Sequence, residues 1–250
     1  QGDARNSRIE GLICRDLSSN AVGVFGTEDL PIRDVSLSEV EAFDCCNEYI
    51  DYLQPNSGPA KGSDRLDQGA AAFYYVDGWS VESSRFRGSH SDGTHFFRCR
   101  NGRFINCCVE ESRMGGYFLE GCENVLASGN LIRGNGSRGV TIERDSRFCT
   151  LTGNLVEHSG REGLWAPDAC SLVVSGNMFI ENGRKDDRER DCEIRLDDTD
   201  EYTTRTQDVR IEGNIFKTSD FQTAVIYQGP GVTRIEAVNN TFDGDAPERN

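Results

Sequence analysis

The chain has 250 residues and carries 42 acidic against 27 basic side chains, which gives a formal net charge of -15. So negative an average field repels other polyanions, and the composition argues against nucleic acid and anionic membrane surfaces as partners. An acidic polysaccharide is disfavoured as well, unless a local basic patch overrides the mean, whereas a neutral glycan suits the charge. No stretch approaches the ~20 apolar residues that span a bilayer, so we predict no membrane partner.

The first residues and the cysteines indicate how the chain is processed. It begins with Gln1 and shows no signal peptide, and the segment from Ser7 to Gly26 resembles the middle of a coil. We therefore expect that N-terminal coils have been trimmed. The ten cysteines have no C-x-x-C spacing, which argues against a zinc knuckle. Free cysteine behaves as a small buried hydrophobe, so we expect stacked thiols in a narrow core.

Strand-like alternation of apolar and polar residues begins near residue 9 and predicts two irregular coils over residues 9–50. Residues 51–69 have no periodicity and are rich in proline and glycine, so they are predicted to form a loop excursion. The alternation resumes at Ala70 and leads into the clearest part of the sequence.

Three successive segments between Gly116 and Asn177 share one pattern. Each begins with glycine and a short apolar alternation, crosses a polar turn, and alternates again into Ser/Thr-Gly-Asn. The asparagines fall at Asn130, Asn154 and Asn177, so the period is 24 and then 23 residues. Self-similarity at such a period indicates a solenoid.

A charge-dense segment, residues 183–208, stretches the next period to 37 residues and is predicted to be a second loop excursion. The repeat then returns at Asn214 and Asn240. Because the turns are too short to hold crossover helices, successive strands must run parallel and stack ~4.8 Å apart. The sequence therefore predicts an all-β chain in which residues 1–250 form one single-stranded parallel β-helix. The repeated asparagines are predicted to form an internal hydrogen-bonded ladder with no catalytic role.

The Ser/Thr-Gly-Asn-hydrophobic repeats with their glycine-led strands resemble those of the pectin-lyase-like right-handed parallel β-helix superfamily. The resemblance covers residues 70–240 clearly and the first seventy residues weakly, and it implies a right-handed solenoid of about eight to nine coils. The superfamily includes polysaccharide lyases, glycoside hydrolases, sugar epimerases, phage tailspikes and adhesins, so the fold does not choose among them. It implies a polysaccharide or oligosaccharide partner and a secreted or cell-surface location.

Counting back 11 or 12 residues from each asparagine assigns the two faces of the glycine-led strands. The count places four residues inside: Phe96, Leu119, Ile142 and Trp165. Their neighbours then point outward: His95, Phe97, Phe118, Glu120, Thr141, Glu143, Leu164 and Ala166. Tyr74, Glu193, Arg195 and Tyr227 are predicted on the same outer face, which would form one wall.

The segment SDGTH contains Asp92 and His95, with Tyr74 predicted beside it. A lyase or epimerase needs a His or Tyr that moves the proton at C5 and an arginine that neutralises the uronate. We therefore predict Asp92, His95 and Tyr74 as catalytic residues, with Arg98 and Arg113 binding substrate. The segment resembles the Asp-x-His segment of β-helix uronate epimerases. The alternative is a turn at Asp92 with a solvated His95.

Glu120 and Glu143 are predicted at equivalent positions on adjacent coils, near the ~5 Å separation of carboxylates in retaining glycosidases. Like charges this close raise one pKa, so two identical residues become an acid and a base. The paired aspartates of polygalacturonases are missing, which argues against that chemistry. The alternative is a solvated acidic face with Arg144 and Arg161 as ion-pair partners.

Outward aromatic residues could stack on sugar rings, and Phe97 and Phe118 are predicted to bind substrate in this way. The acidic aspartates of residues 183–208 could hold calcium, although interleaved basic residues favour a solvated loop; no other cofactor is expected. The competing hypotheses are a non-catalytic β-helix that binds glycan or protein, as adhesins and tail proteins do, and a structural stalk.

Overall fold

The computed structural model describes residues 5–46, 69–184, 191–199, 201–219 and 222–248. Alternation with a period of two puts one side of each short segment inside and the other outside, and all regular structure in these ranges is β-strand. The strands form three parallel sheets, which we name A, B and C. In the described ranges, no helix is long and apolar enough to cross a membrane.

The strands of each sheet are hydrogen-bonded to the equivalent strands of the neighbouring coils. Sheet A contains β1 (Arg5–Glu10), β4 (Ile32–Ser38), β7 (Val76–Glu82), β10 (Arg100–Ile105), β13 (Glu123–Ser128), β16 (Arg147–Thr152), β19 (Cys170–Ser175), β22 (Gln207–Glu212) and β25 (Thr233–Val238). Sheet B contains β2 (Ile13–Arg15), β5 (Glu41–Phe43), β8 (Arg85–Arg87), β11 (Cys108–Glu110), β14 (Leu131–Arg133), β17 (Leu155–Glu157), β20 (Met178–Ile180), β23 (Ile215–Lys217) and β26 (Thr241–Asp243). Sheet C contains β3 (Val22–Phe25), β6 (Ala71–Tyr74), β9 (Thr94–Phe97), β12 (Tyr117–Glu120), β15 (Val140–Glu143), β18 (Leu164–Pro167), β21 (Cys192–Asp197) and β24 (Ala224–Gln228).

The chain visits the sheets in the order A, B, C, so the described strands make nine coils, and the ninth has no strand in sheet C. In its place, the carbonyl groups of Pro247 and Glu248 accept hydrogen bonds from the N–H groups of Val225 and Ile226 in β24. The predicted right-handed parallel β-helix of about eight to nine coils is confirmed.

The predicted asparagine ladder lies at the turn between sheets A and B. The Nδ2 atom of Asn130 donates to Oδ1 of Asn154 at 2.8 Å, and that of Asn154 donates to Oδ1 of Asn177 at 2.9 Å. The ladder continues through Asn214 to Asn240 with the same geometry. Each amide also donates to a backbone carbonyl, so these buried polar groups are satisfied and the ladder is confirmed as scaffold.

The interior between the sheets is narrow and filled by stacked side chains. Trp79 stacks on Phe96 with ring centroids 4.2 Å apart, and Phe104 stacks on Tyr117 at 4.5 Å. All ten cysteines are free thiols, and seven of them are buried. Val125 and Cys149 are paired in register, as the repeat predicts.

The two predicted loop excursions meet the described structure differently. Of residues 51–69, all except Gly69 lie outside the described residues. The second excursion, residues 183–208, contains β21, which continues sheet C between β18 and β24. The dense charge of this segment hides the inward alternation of Cys192, Ile194 and Leu196, all of which are buried.

Candidate functional site

The outer face of sheet C is covered, in contrast to the outer faces of sheets A and B. Parallel registration aligns its outward residues in two columns along the solenoid axis. The first column is Ala72, His95, Phe118, Thr141, Trp165, Arg195 and Tyr227, and the second is Phe25, Tyr74, Phe97, Glu120 and Glu143. His95 is 0% exposed, Glu120 5% and Glu143 3%. A row of buried charged groups on the outside of a solenoid is the main candidate site.

Glu120 and Glu143 face each other in register on β12 and β15. One guanidinium holds both: Nη1 of Arg144 donates to Oε1 of Glu120 at 2.7 Å, and its Nε contacts Oε1 of Glu143 at 3.0 Å. Nε2 of His95 lies 3.2 Å from the other oxygen of Glu120. Four charged or ionisable side chains from three adjacent coils therefore form one contact network.

The two carboxyl groups of this network titrate in opposite directions. Burial raises the pKa of Glu143 to about 7; Arg144 opposes that shift and the negative charge of Glu120 adds to it. Burial would also raise the pKa of Glu120, but its hydrogen bonds and charge interactions with His95 and Arg144 outweigh burial and lower it. Glu143 can thus hold a proton near neutral pH beside an ionised Glu120.

His95 is enclosed by aromatic rings. Its imidazole stacks on Phe118, with ring centroids 4.4 Å apart and planes 3° apart, and the Tyr74 ring lies edge-on at 5.6 Å. Tyr74 in turn contacts Phe97 at 5.3 Å and Phe25 at 5.4 Å. The structure therefore brings these predicted residues together, but it buries Tyr74, His95 and Phe97, so no ring face of theirs is free for a sugar.

Asp92 lies in the turn that leads into β9, at the start of this face. Its Oδ1 accepts a hydrogen bond from the N–H of Gly115 at 2.8 Å. Glu143 senses both the negative charge of Asp92 and the positive charge of Arg138, so both lie close to the carboxylate pair. Arg138 also packs over the Trp165 ring at 3.7 Å and pairs with the buried Glu162. The charged network thus extends over the start of the sheet C strands.

The predicted faces hold as far as Glu143 and are wrong by one residue on β18. Thr141 pairs with Trp165, so Trp165 points outward and donates from Nε1 to Asp197, whereas Leu164 and Ala166 are buried in the core. The turn after β15 contains two successive residues with positive φ, Arg144 and Asp145, and is one residue longer. Counting back 12 residues from Asn177 therefore overshoots by one.

Glu193 was also predicted on the outer wall, beside Arg195 and Tyr227. Arg195 and Tyr227 do lie there, with the guanidinium 4.7 Å from the ring centroid. The Glu193 carboxylate instead accepts hydrogen bonds from Asn182 and Gln222 at a buried corner. A carboxylate there meets amide donors that a sequence count does not reveal.

A groove of about 400 Å³ lies beside the carboxylate pair, at the corner where the chain turns from sheet C into sheet A. Its lining includes Tyr75, Arg98, Gly121 and Asp145. Gly121 has a φ of +61°, and a Cβ there would lie 2.9 Å from Cδ of Arg98, so the missing side chain lets Arg98 lie along the floor. Nη2 of Arg98 is 4.0 Å from Asp145, which leaves this guanidinium partly exposed and loosely paired.

Two of the remaining predictions fall away from this groove. Arg113 is exposed in the turn between β11 and β12, at the opposite end of β12, where its N–H donates to the Ser89 carbonyl. In the described ranges, no three His, Cys, Asp or Glu side chains are arranged to hold a metal ion. Asp198 pairs with Arg205, while the predicted calcium-binding residues Asp186, Asp187 and Asp200 lie outside those ranges.

Sequence reasoning missed Arg138, Tyr75 and Tyr202 as members of the site. Arg138 occupies the column of Asp92, two coils away, and was detectable from the glycine-led register. Tyr75 follows Tyr74 at a residue with φ of +53°, which turns it into the groove. Tyr202 belongs to the segment predicted as a loop, and its ring centroid lies 5.9 Å from Cζ of Arg144.

Comparisons with known proteins address the fold. The family described as "right handed beta helix region" matches residues 69–187. No curated protein sequence matches the chain. The solved structures that it resembles include the periplasmic alginate epimerase AlgG, with TM-score 0.64 and 11% identity. DFA-IIIase from Arthrobacter chlorophenolicus A6 has TM-score 0.58 and 12% identity, and PfbA, a surface adhesin of Streptococcus pneumoniae, has 0.61 and 11%.

These likenesses cover nearly all of this chain but only part of the others. The match covers 93% of this chain and 47% of AlgG, 90% and 64% for DFA-IIIase, and 95% and 60% for PfbA. The chain thus spans about half the length of AlgG. Identities this low show the fold alone. By the pattern of its repeats, its three parallel sheets and these structural neighbours, the chain has the right-handed parallel β-helix fold of the pectin-lyase-like superfamily.

Proposed function

We propose that this chain is a carbohydrate-active β-helix protein that processes a glycan at the outer face of sheet C, with Glu143 as its general acid or base. The observation that carries the proposal is the carboxyl pair held by Arg144, in which the pKa of Glu143 is raised to about 7 and that of Glu120 is lowered. Environments that push two like groups apart in pKa are the usual means of assigning an acid and a base.

Each group then has a chemical task. The protonated Glu143 can donate its proton to a glycosidic oxygen, or as the carboxylate it can remove a proton from a sugar carbon. The ionised Glu120 can stabilise the positive charge of a glycosyl transition state, as in hydrolysis. Arg98 can neutralise a uronate carboxylate, as lyases and epimerases require. We infer a polysaccharide lyase, an epimerase or a glycoside hydrolase.

The groove supplies a route to the pair. The Arg144 side chain is 36% exposed although both of its carboxylate partners are buried, so it lies between solvent and the pair. Phe118 is half-buried and is the one predicted aromatic residue with surface left for a sugar ring. His95 and Tyr74 sit behind Glu120, where they orient its carboxylate and exclude water.

The structural neighbours give general support to a glycan partner. AlgG is named as an alginate epimerase and as periplasmic, and PfbA as a surface adhesin. With these neighbours, a secreted, periplasmic or cell-surface location is proposed for this chain as well. We propose no resident cofactor.

The test is a screen of uronic-acid and neutral polysaccharides, read by absorbance of unsaturated products and by new reducing ends. Glu143→Gln should lower kcat at least about 100-fold, the usual contribution of a general acid or base. Because Glu143 is largely protonated near neutral pH, the amide should fold as the wild type does. Glu236→Gln, at an exposed position on sheet A, is the matched control. Full activity in Glu143→Gln would refute the mechanism.

His95→Ala examines the layer behind the pair. Loss of its contact to Glu120 should raise the pKa of Glu120 and move the activity profile along the pH axis. An unchanged profile would remove His95 from the site.

A second candidate is a non-catalytic glycan-binding β-helix, in the manner of an adhesin. It is favoured by the burial of His95, Tyr74 and Phe97, which leaves few predicted catalytic groups at the surface. Retention of the wild type on immobilised glycans without any product would select this function.

A further inference from the structure

Between β21 and β22 the chain leaves the regular coil, which lengthens the period between Asn177 and Asn214 to 37 residues. Residues 201–206, here named the wall segment, run within this insertion. An insertion of this length could simply extend into solvent. Instead, its polar groups bind back to three successive coils.

The anchors of the wall segment are hydrogen bonds to distant residues. The N–H of Thr204 donates to Oδ1 of Asp145 at 3.2 Å, across 59 residues of sequence. The hydroxyl of Thr206 donates to the Asp197 carbonyl and accepts from the N–H of Ala169 at 3.3 Å. Asp145 directly follows Arg144 in the sequence, so the wall segment is fixed next to the residue that holds the carboxylate pair.

This anchoring places the wall segment along the groove. Thr203 and Thr204 line one side of the groove, and Glu28 and Pro31 line it as well. Tyr202 lies on the other side of Thr203, with its ring centroid 5.9 Å from Arg144. Burial raises the pKa of the Tyr202 phenol, and the charges of Glu120 and Glu143 raise it further. The phenol is therefore close to both carboxylates.

The packing of Tyr202 is too light for a purely structural residue. The ring is half-exposed, and its contact with the guanidinium lies at the ~6 Å limit of a cation–π interaction. The segment thus holds an aromatic ring at the rim of the site without burying it. Such a ring offers a face for the C–H groups of a sugar and a hydroxyl for hydrogen bonding.

We propose that Tyr202, positioned by the wall segment, is a substrate-contacting residue that selects the pyranose ring bound beside Glu143. The inference rests on the proposed function and deepens it, because it names the residue that distinguishes one sugar from another. The selecting element comes from an insertion in the coil.

The test compares Tyr202→Ala and Tyr202→Phe with a matched control, Tyr227→Ala. Tyr227 is also half-exposed and lies under an arginine, Arg195, but three coils further along. On the glycan found in the screen, Tyr202→Ala should raise KM roughly 5- to 20-fold with kcat changed less than about 3-fold. Tyr202→Phe should keep most of the affinity but narrow the preference between epimeric sugars. Tyr227→Ala should match the wild type.

The outcomes separate this inference from the proposed function. Thermal melting of each variant checks that the fold is kept, and isothermal calorimetry with Glu143→Gln as the background measures binding without turnover. An active wild type whose Tyr202→Ala variant keeps its KM, its dissociation constant and its sugar preference overturns the role of Tyr202 alone. A wild type that neither binds nor processes any glycan overturns both.

Discussion

Glu120 and Glu143 are registered on adjacent coils, are bound by the same guanidinium of Arg144, and yet have pKa values shifted in opposite directions. The difference comes from what lies beside each group. Glu120 also contacts His95, whereas Glu143 is more deeply buried and feels the charge of Glu120. An asymmetric environment thus gives two identical residues different protonation states.

This asymmetry predicts how stability changes with pH. The pKa of Glu143 is about 7 in the folded chain and about 4.3 in an unfolded one, so between these values only the folded chain holds the proton. Stability is therefore full below about pH 4.3 as far as this group is concerned, and falls as pH rises through 7. The buried Glu193, whose pKa is also raised to about 7, acts in the same direction.

The expected loss from Glu143 is at most about 3 kcal/mol between pH 5 and pH 8. Glu143→Gln should remove this part of the pH dependence in urea unfolding measured across that range, while Glu236→Gln should leave it in place. The carboxyl groups with lowered pKa titrate below this window and do not mask the effect. An identical slope in Glu143→Gln and wild type would show that the carboxyl is not buried as described.

The asparagine ladder predicts a difference between an interior rung and an end rung. Asn154 makes hydrogen bonds to Asn130, Asn177 and the Ala127 carbonyl, and it is buried. Asn154→Ala leaves the buried donors of Asn130 without an acceptor and should cost about 2–4 kcal/mol. Asn240→Ala, at the partly exposed last rung, should cost roughly half as much because water can replace the amide. Equal losses in urea unfolding would contradict a continuous buried ladder.

Gly102 and Gly153 predict two different costs for the same substitution. A Cβ at Gly102 would lie 1.9 Å from the Trp79 ring, which is stacked on Phe96 and cannot give way, so Gly102→Ala should cost about 3 kcal/mol or more. Gly153 has a φ of +64° and no atom within 4 Å of a Cβ, so Gly153→Ala should cost about 1–2 kcal/mol for backbone strain alone. Urea unfolding measures both, and the Trp79 fluorescence should shift in Gly102→Ala alone.

The free thiols predict a labelling pattern. Cys14, Cys108 and Cys170 are partly exposed and the other seven cysteines are buried. Burial raises the pKa of thiols such as Cys107, to about 12, which suppresses the reactive thiolate. At most three thiols should react with a chromogenic reagent in the native protein, and all ten should react in guanidinium without reductant. Fewer than ten after unfolding would reveal disulfides.

The repeat allowed much of the outer wall to be predicted, and the places where the prediction failed have local causes. The columns through His95, Phe118 and Glu120 follow from counting because the coils from β9 to β15 are equal in length up to Glu143. The count fails at Trp165 because the turn at Arg144 and Asp145 is longer. Burial on the outer face could not be counted at all, since it depends on Phe25, Arg138 and Tyr202, which approach it from other parts of the chain.

The sequence by itself determined the parallel β-helix, its coil number and the internal asparagine ladder, because an apolar alternation repeated at a constant period has one way to bury itself. It also determined that Glu120 and Glu143 are neighbours. The tertiary structure decided that His95 lies behind these carboxylates, that Arg144 binds both, and that Tyr202 borders the groove. Those relationships depend on turn lengths, on one missing side chain at Gly121 and on an insertion that folds back, none of which follows from periodicity.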